Sequence, residues 1–384
     1  MTGSRPSKRA EPMSTVSTFR AYDGKSYLCI TAKRSYAIRN GKCAEPVPQT
    51  ATLVEAPRYI RSSVTNAHRL VEDVDFFAGI KPATDVLLRG TAYSHQGRVP
   101  SFQVALRVGP IARTLRVWGD RTIQLGRGGA LLASAPVPRD ALPLIWDHAY
   151  GGRDEHAEAL AKNSPGASTV GMLAYPRNPA GRGFFIDVDR ERMEGSAMPS
   201  IEDPLDPIVP DRLCAPTMRA WMDCPAAACF EPIDQFTFPR AVFFIPATFD
   251  RPKRELHEAR LGVLGLDEIL QRMVTWDGTV DPRAFNCAPA GLATVRLRGN
   301  ERVELHRLHP RHEALSFELP ADRPQMVLEP PGVNPRELEP SLQTVLIEPE
   351  MDLVTLTWAG TLEVAMPYPR EMVETMRHAT LWTR

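Results

Sequence analysis

The segment that decides the fold is F-Q-V-A-L-R-V at residues 102–108. Every second residue is a large apolar one, and the residues between them are glutamine, alanine and arginine. This period of two is typical of a β-strand with one buried face. Before this segment, a loop containing Gln96-Gly97 connects it to a predicted strand at 86–93. After it, Gly109-Pro110 turns the chain into a further strand at 115–119. The sequence therefore predicts an antiparallel meander of three strands.

Similar patterns continue toward both ends of the chain. We predict short helices at 153–162, at 266–274 and after Pro369, the last being a C-terminal amphipathic helix. The apolar run at 241–249 contains Pro246, which favours an edge strand or a bulge. The fold class predicted is mainly β, with sandwich-like antiparallel sheets, Pro/Gly-rich central loops and a few short helices. Further strands are predicted at 27–38, 50–56, 294–298, 302–308, 314–319, 326–329, 344–348 and 353–362.

Composition restricts both the fold and the partners. The 36 prolines favour short strands joined by stiff turns, because proline interrupts helices and central strands. Lys plus Arg and Asp plus Glu are 46 each, so no overall charge attracts nucleic acid or an anionic membrane. No apolar run is long enough to cross a bilayer and no signal peptide is visible, so we expect a cytoplasmic protein. The six cysteines form no C-x-x-C pair, which predicts free thiols.

The domain organisation expected is a tail followed by one β-rich unit. Residues 1–18 have little to bury, which predicts a disordered tail, and either Met1 or Met13 is the initiator. The rest of the chain, 19–384, is expected to form a single unit. Within it we distinguish an N-terminal sheet region (19–130), a loop-rich centre (131–288) and a C-terminal sheet region (289–384).

A loop rich in glycine, proline and charged residues is predicted at 178–204, N-P-A-G-R-G-F-F-I-D-V-D-R-E-R-M-E-G-S-A-M-P-S-I-E-D-P. Its companions are L-R-V-W-G-D-R at 115–121 and L-P-L-I-W-D-H-A-Y-G-G at 142–152. We expect the three segments to form one contiguous face that either contacts a partner or holds the sheet regions together. Glycine and proline specify backbone shape and favour the second role. The candidate residues are Trp118, Asp120, Arg121, Tyr150, Gly151, Gly152, Asn178, Pro179, Gly181, Arg182, Gly183, Pro199, Ile201, Glu202, Asp203 and Pro204.

Acidic residues of this loop are candidates for general acid–base chemistry or for a hard cation. The interleaved arginines indicate ion pairing instead, and Glu202-Asp203 can accept backbone N–H groups and fix a turn. No nucleophile elbow, P-loop or Rossmann fingerprint is present. We therefore expect no enzyme, no cofactor and no metal. The residues concerned are Asp187, Asp189, Glu191, Glu202 and Asp203, with Arg182, Arg190 and Arg192 among them.

Three histidines in H-R-L-H-P-R-H, at 306, 309 and 312, are the best candidates for metal ligands. Their spacing in a strand and turn containing Pro310 does not place them on one face, as the two histidines of a helical zinc motif are placed. Arg307 and Arg311 would also repel a cation. Surface histidines beside a hairpin are the favoured interpretation.

Eight motifs in order give the chain a family resemblance. They are I-T-A-K-R-S-Y-A-I (30–38), D-V-L-L-R-G-T-A-Y (85–93), L-R-V-W-G-D-R (115–121), P-L-I-W-D-H-A-Y-G-G (143–152), N-P-A-G-R-G (178–183), P-S-I-E-D-P (199–204), F-N-C-A-P (285–289) and L-R-G-N-E-R-V-E-L (297–305). With them the chain resembles domain of unknown function 2169, a family encoded among bacterial type VI secretion genes. It departs from the family pattern at A-T-F-D (247–250) and in the region 214–229.

The resemblance implies a cytoplasmic adaptor or chaperone. Such a protein binds a secreted effector, for example one with a PAAR-type tip domain, and promotes its loading on the trimeric spike protein. It implies no nucleic acid and no membrane as partners. Two alternatives remain open: a metal-assisted hydrolase that uses the carboxylates between Asp187 and Asp203, and a structural component of the secretion machine.

Overall fold

The computed structural model describes residues 13–20, 25–62, 67–75, 80–162, 173–186, 189–215, 221, 223–240 and 285–382. Its helices are α1 (Glu155–Lys162), α2 (Arg190–Met193) and α3 (Arg370–Glu374), with 3₁₀ turns at Arg127–Gly129, Trp146–His148, Pro210–Arg212 and Pro349–Met351. Its strands are β1 (Met13–Arg20), β2 (Ser26–Ala37), β3 (Glu45–Pro46), β4 (Arg58–Arg61), β5 (His68–Glu72), β6 (Asp85–Leu88), β7 (Thr91–Tyr93), β8 (Ser101–Val108), β9 (Ile111–Trp118), β10 (Ile123–Leu125), β11 (Leu131–Ala133), β12 (Ala141–Pro143), β13 (Tyr150–Gly151), β14 (Arg182–Gly183), β15 (Ile201–Glu202), β16 (Arg302–His306), β17 (Ala314–Glu318), β18 (Pro324–Glu329), β19 (Arg336–Leu338), β20 (Ser341–Glu348), β21 (Leu353–Val364) and β22 (Arg377–Trp382). The predicted class, mainly β with antiparallel sheets and a few short helices, is confirmed.

The first large sheet has the strand order β1-β2-β21-β20-β6, with β3 paired to β2. Its centre is the long antiparallel pair of β2 and β21, in register from Ser26↔Val364 to Ala37↔Leu353. Only β6 runs parallel to its neighbour, β20. This sheet therefore joins the N-terminal and C-terminal parts of the chain.

The second large sheet has the order β15-β9-β8-β16-β17. In β8 the apolar residues predicted to face inward are buried, whereas Gln103 and Arg107 are exposed. Inward-facing residues of both large sheets, such as Ile30 of β2 and Val104 of β8, belong to one hydrophobic core. Burying each large aliphatic side chain contributes about 2 kcal/mol. The two sheets are thus held together by the alternation that the sequence displays.

A three-stranded sheet, β19-β18-β22, and the helix α3 complete the C-terminal region. Val373 of α3 and the nearby Met376 are buried in the shared core. The predicted C-terminal helix exists but is only one short turn, and the chain continues into β22. Among the described residues, no helix has the length and apolarity needed to cross a bilayer. All six cysteines are free, as predicted.

The predicted disordered tail is wrong for residues 13–18. These residues belong to β1, which pairs antiparallel with β2 from Met13↔Lys33 to Arg20↔Ser26. The ring of Phe19 also stacks on Tyr27, with centroids 5.5 Å apart. Backbone pairing with a central strand supplies the stabilisation that the polar side chains do not offer.

Two predicted strands, 50–56 and 294–298, do not form. Their backbones bond to side chains instead, as when Val54 N donates to Asp75 Oδ2 (2.7 Å) and Leu297 N to Thr84 Oγ1 (2.9 Å). The predicted strand 86–93 is divided at Gly90 into β6 and β7, which belong to different sheets. The meander therefore has two strands rather than three. The predictions at 241–249 and 266–274 lie outside the described residues.

Candidate functional site

Asn178 connects the loop at 178–204 to the segment around Tyr150. Its side-chain amide donates to the carbonyl oxygens of Trp146 (2.9 Å) and Tyr150 (3.0 Å), and its own carbonyl accepts from Gly152 N (2.8 Å). Beside it, β13 and β14 pair in parallel, with Tyr150 opposite Arg182. Because Asn178 is 3% exposed, this crossing lies inside the protein. We refer to the crossing of residues 146–152 with 178–183 as the loop frame.

The glycines of the loop frame are required by close backbone contacts. A Cβ on Gly151 would lie 2.1 Å from the carbonyl oxygen of Asn178, and one on Gly152 would lie 2.4 Å from that of Gly181. Both residues also have positive φ angles, 145° and 101°. A side chain at either position would force the two segments apart. The motif glycines are therefore explained by packing.

The segment P-S-I-E-D-P joins the loop frame to the second large sheet through β15, which pairs with β9. Glu202 is 1% exposed and accepts from Ile208 N (3.0 Å). Asp203 Oδ1 accepts from Leu205 N (2.9 Å), and its other oxygen lies 2.9 Å from Arg113 Nη2. The prediction that both carboxylates fix a turn is confirmed.

The arginines of the motifs are also engaged internally. Arg121 lies with its guanidinium 4.2 Å from the ring centroid of Trp118 and donates to Pro199 O (3.0 Å). Arg182 Nε donates to Asp147 O (3.1 Å), and its guanidinium also contacts His148 Nδ1. Burial and the positive charge of Arg182 lower the pKa of His148 to about 4, so this imidazole is neutral at physiological pH.

The structure brings the predicted residues together, but mainly below the surface. Only Asp120 is exposed, and it pairs with Arg139. Half-buried residues are Trp118, Pro179, Arg182, Gly183, Asp203 and Pro204. Buried residues are Arg121, Tyr150, Gly151, Gly152, Asn178, Gly181, Pro199, Ile201 and Glu202. The arrangement favours the role of holding the sheet regions together.

The remaining carboxylates of the loop do not converge with these. Asp189 begins α2 and accepts from Glu191 N (3.1 Å) and Arg192 N (3.4 Å). The side chain of Arg192 lies 3.1 Å from Asp154. Asp187 lies outside the described residues. Within the described part of the chain, no group of three or more His, Cys, Asp or Glu side chains has metal-binding geometry.

The three histidines of H-R-L-H-P-R-H are not arranged around a common point. His309 is buried, its Nε2 lies 2.9 Å from Asp352 Oδ1, and its Nδ1 accepts from Arg311 N (3.1 Å) and His312 N (3.2 Å). Both ring nitrogens are thus engaged, Nδ1 within the turn and Nε2 with Asp352. This histidine stabilises the loop that joins β16 to β17.

The family to which the chain belongs follows from its sequence match. Residues 23–359 match the family DUF2169, described as an uncharacterized protein conserved in bacteria. The chain is a member of DUF2169. Neither a curated protein nor a solved structure gave a significant match.

A buried charge cluster joins two further segments of the chain, D-V-L-L-R-G (85–90) and F-N-C-A-P (285–289). Asp85 lies 2.7 Å from Lys81 Nζ, and both side chains are at most 5% exposed. The Asp85 carboxylate also accepts from Asn286 Nδ2 (2.9 Å), Cys287 N (3.0 Å) and Ala288 N (3.0 Å). These bonds and Lys81 hold the pKa of Asp85 below its usual range although burial opposes the shift. The two segments thus pack as one structural unit of this fold.

A second buried cluster lies beneath the loop frame. Arg69 Nε lies 2.7 Å from Asp147 Oδ2, and its Nη1 contacts Glu231. Glu231 Oε2 accepts from Trp146 N (3.1 Å), and burial raises the pKa of Glu231 to about 7 although Arg69 opposes this. One cation thus serves two carboxylates. Sequence reasoning did not find this cluster, because no local pattern connects residues so far apart in the chain.

Proposed function

We propose that this DUF2169 protein is a cytoplasmic adaptor that binds a type VI secretion effector and promotes its loading on the spike protein. The observation that carries the proposal is the internal use of the motif residues. Each described carboxylate of P-S-I-E-D-P has an arginine or backbone N–H partner. A catalytic site needs groups that converge on a substrate, whereas a docking protein needs a rigid frame that presents a surface.

An exposed apolar surface follows P-S-I-E-D-P directly in the chain. Leu205 is 90% exposed, yet its turn is fixed by bonds from Leu205 N to Asp203 Oδ1 (2.9 Å) and from Asp206 N to Asp203 O (3.0 Å). Val209 and Leu132 are also exposed, and they lie on neighbouring segments, because β11 packs against the 3₁₀ turn Pro210–Arg212. An exposed apolar group on a stiff support loses little entropy on binding. Such a surface suits recognition of a secreted effector, for example through a PAAR-type tip domain.

Affinity purification of the tagged protein from its native cytoplasm, followed by mass spectrometry, tests this function. We expect recovery of one effector together with a spike or tip protein. Leu205→Asp should reduce that recovery without changing the melting temperature. Val333→Asp is the matched control, because Val333 is also an exposed aliphatic residue but lies elsewhere, on a turn after β18.

Arg121, which is buried, and Arg182, which is half-buried and bonded to residues 147 and 148, are unsuitable probes of contact, because their loss would disturb the loop frame itself. If folded, abundant protein recovers no secretion component, the adaptor function is wrong. The loop carboxylates should then be assayed for metal binding and hydrolase activity. If the protein instead persists in stoichiometric amount in assembled spikes, it is a structural component of the machine.

A further inference from the structure

Apart from the two-residue β3, the two large sheets end in four edge strands, and three of these are covered by other segments of the chain. β6 is covered by residues 230 and 292, β15 by residue 148, and β17 by residues 41–44. The covering bonds include Val86 N to Leu292 O (2.9 Å), Leu88 N to Phe230 O (3.2 Å), Ser200 N to His148 O (2.8 Å) and Glu318 N to Lys42 O (3.1 Å). The fourth edge is β1. Its outer side has no backbone hydrogen bond to any other described residue.

The register of β2 identifies which backbone groups of β1 face outward. Alternate residues of a strand direct their N–H and C=O groups to opposite neighbours. Ser35 O accepts from Val47 N (3.1 Å) on the β3 side of β2, whereas Ile38 N donates to Asp352 O (2.7 Å) on the β21 side. Odd-numbered residues of β2 therefore bond toward β1. Their odd-numbered partners in β1 bond back, which leaves Ser14, Val16 and Thr18 with outward backbone groups.

The composition of β1 does not protect this edge. Natural edge strands are shielded by charged side chains, prolines, bulges or short length. Residues 13–19, M-S-T-V-S-T-F, contain neither charge nor proline, and β1 pairs with β2 without a register shift. The side chains of residues 14–19 are half-buried. What β1 offers is therefore chiefly a row of backbone donors and acceptors, which an extended polypeptide satisfies.

The surroundings of β1 indicate the chemistry of that polypeptide. α3 packs against β1 and exposes Met372 beside the charged Arg370, Glu371 and Glu374, and Met366 in the preceding segment is 72% exposed. Flexible methionines adapt to varied apolar side chains.

We infer that the outer edge of β1 binds an extended, apolar segment of the secreted partner as an added β-strand. The identity of the partner rests on the proposed function, but the docking edge itself does not. The added strand would pair with the outward groups of Ser14, Val16 and Thr18. The first large sheet would then continue into the partner.

The experiment uses a random peptide library displayed on phage, selected against the immobilised full-length protein. Selected peptides are synthesised, and residue-level amide exchange is followed with and without them. We expect new protection at Ser14, Val16 and Thr18, but little change at Thr15 and Ser17, which already bond to β2. The selected sequences should be uncharged and rich in apolar and β-branched residues.

Two variants at one position separate backbone from side-chain effects. Both substitutions remove the Thr18 hydroxyl, which donates to Tyr27 O (3.2 Å). Thr18→Pro also removes the outward backbone N–H, whereas Thr18→Ala keeps it. Loss of one backbone hydrogen bond should weaken peptide binding about tenfold in Thr18→Pro relative to Thr18→Ala. Melting temperatures of both variants show whether the sheet is intact. If Thr18→Pro does not fold, the exchange pattern of the unmodified protein decides.

The inference is overturned if no peptide is selected, if the bound peptide protects amides elsewhere, or if both folded variants bind equally. It is also overturned if the same amides become protected only through concentration-dependent dimers. Failure to recover a secretion component contradicts the adaptor function alone, since the peptide experiment contains no secretion protein.

Discussion

Gly151 lies so close to Asn178 that a Cβ on the glycine would stand 2.1 Å from the Asn178 carbonyl oxygen. The same asparagine donates its side-chain amide to two carbonyls of the segment that leads to Gly151, those of Trp146 and Tyr150. Residues 178–183 are thereby fixed to the segment that follows β12. A family motif that suggests a binding site is, at this point, the interior of a structural joint.

Gly151→Ala should therefore destabilise the protein severely. The methyl group would collide with backbone, and the φ angle of 145° is one that L-residues rarely adopt. We expect the free energy of unfolding to fall by at least about 3 kcal/mol. Urea denaturation measures it. Gly97→Ala is the control, because Gly97 has a φ of 74° but open space around it, so a loss of about 1–2 kcal/mol is expected. Equal losses in the two variants would contradict the contact.

The sequence predicts the strands better than the site. Alternation in the sequence located β2, β8 and β21. In β8 the side chains divide between core and surface with a period of two, whereas β2 and β21 are buried along most of both faces. The segments 50–56 and 294–298 have similar sequence patterns, but backbone N–H groups in them donate to the side chains of Asp75 and Thr84. Competition between a side-chain acceptor and a neighbouring strand is a tertiary effect that no window of sequence displays.

The same limit applies to the buried charges. Glycine and proline content correctly indicated a shaped loop, since such residues specify backbone conformation locally. Asp85 and Cys287, in contrast, are 202 residues apart and meet only in the folded chain. F-N-C-A-P could be recognised as a motif without any indication that its backbone binds Asp85.

Lys81→Met should lower the free energy of unfolding strongly, although methionine is close to lysine in length. It leaves the carboxylate of Asp85, which is 0% exposed, without its cation. Removing one partner of a buried pair typically costs about 3–5 kcal/mol. Lys25→Met is the control: Lys25 and Glu363 are also 2.7 Å apart, but both are about half exposed, so a loss of at most about 1 kcal/mol is expected. Chemical denaturation at neutral pH compares the two. A small effect at Lys81 would show that Asp85 does not depend on this cation.

Glu231 should make stability depend on pH in the direction opposite to an ordinary salt-bridged carboxylate. Burial raises its pKa from 4.5 to about 7, so the folded state binds the proton more tightly than the unfolded state. Stability therefore falls as pH rises from about 4.5 to about 7, by no more than about 1.4 kcal/mol per pH unit. Glu231→Gln should flatten the profile in this window. The exposed Glu363→Gln should leave its slope unchanged, and a steep remaining slope in Glu231→Gln would assign the titration to another group.

Thiol labelling provides a separate test of the interior, because the six cysteines differ in burial. Cys43 is exposed, so a thiol reagent should modify it first in the native protein. Partial desolvation of the sulfur, together with Glu318 and Asp322, raises the pKa of Cys43, and its labelling should therefore be slow at neutral pH and accelerate as pH rises. Cys229 and Cys287 are buried with pKa values well above the usual range, and they should react only when the protein unfolds.

Cys43→Ser should remove the first phase of labelling, and the fully unfolded chain should titrate all six thiols. Fast native labelling of Cys287 would mean that F-N-C-A-P is not packed on Asp85, whereas fewer than six thiols after unfolding would contradict the free cysteines.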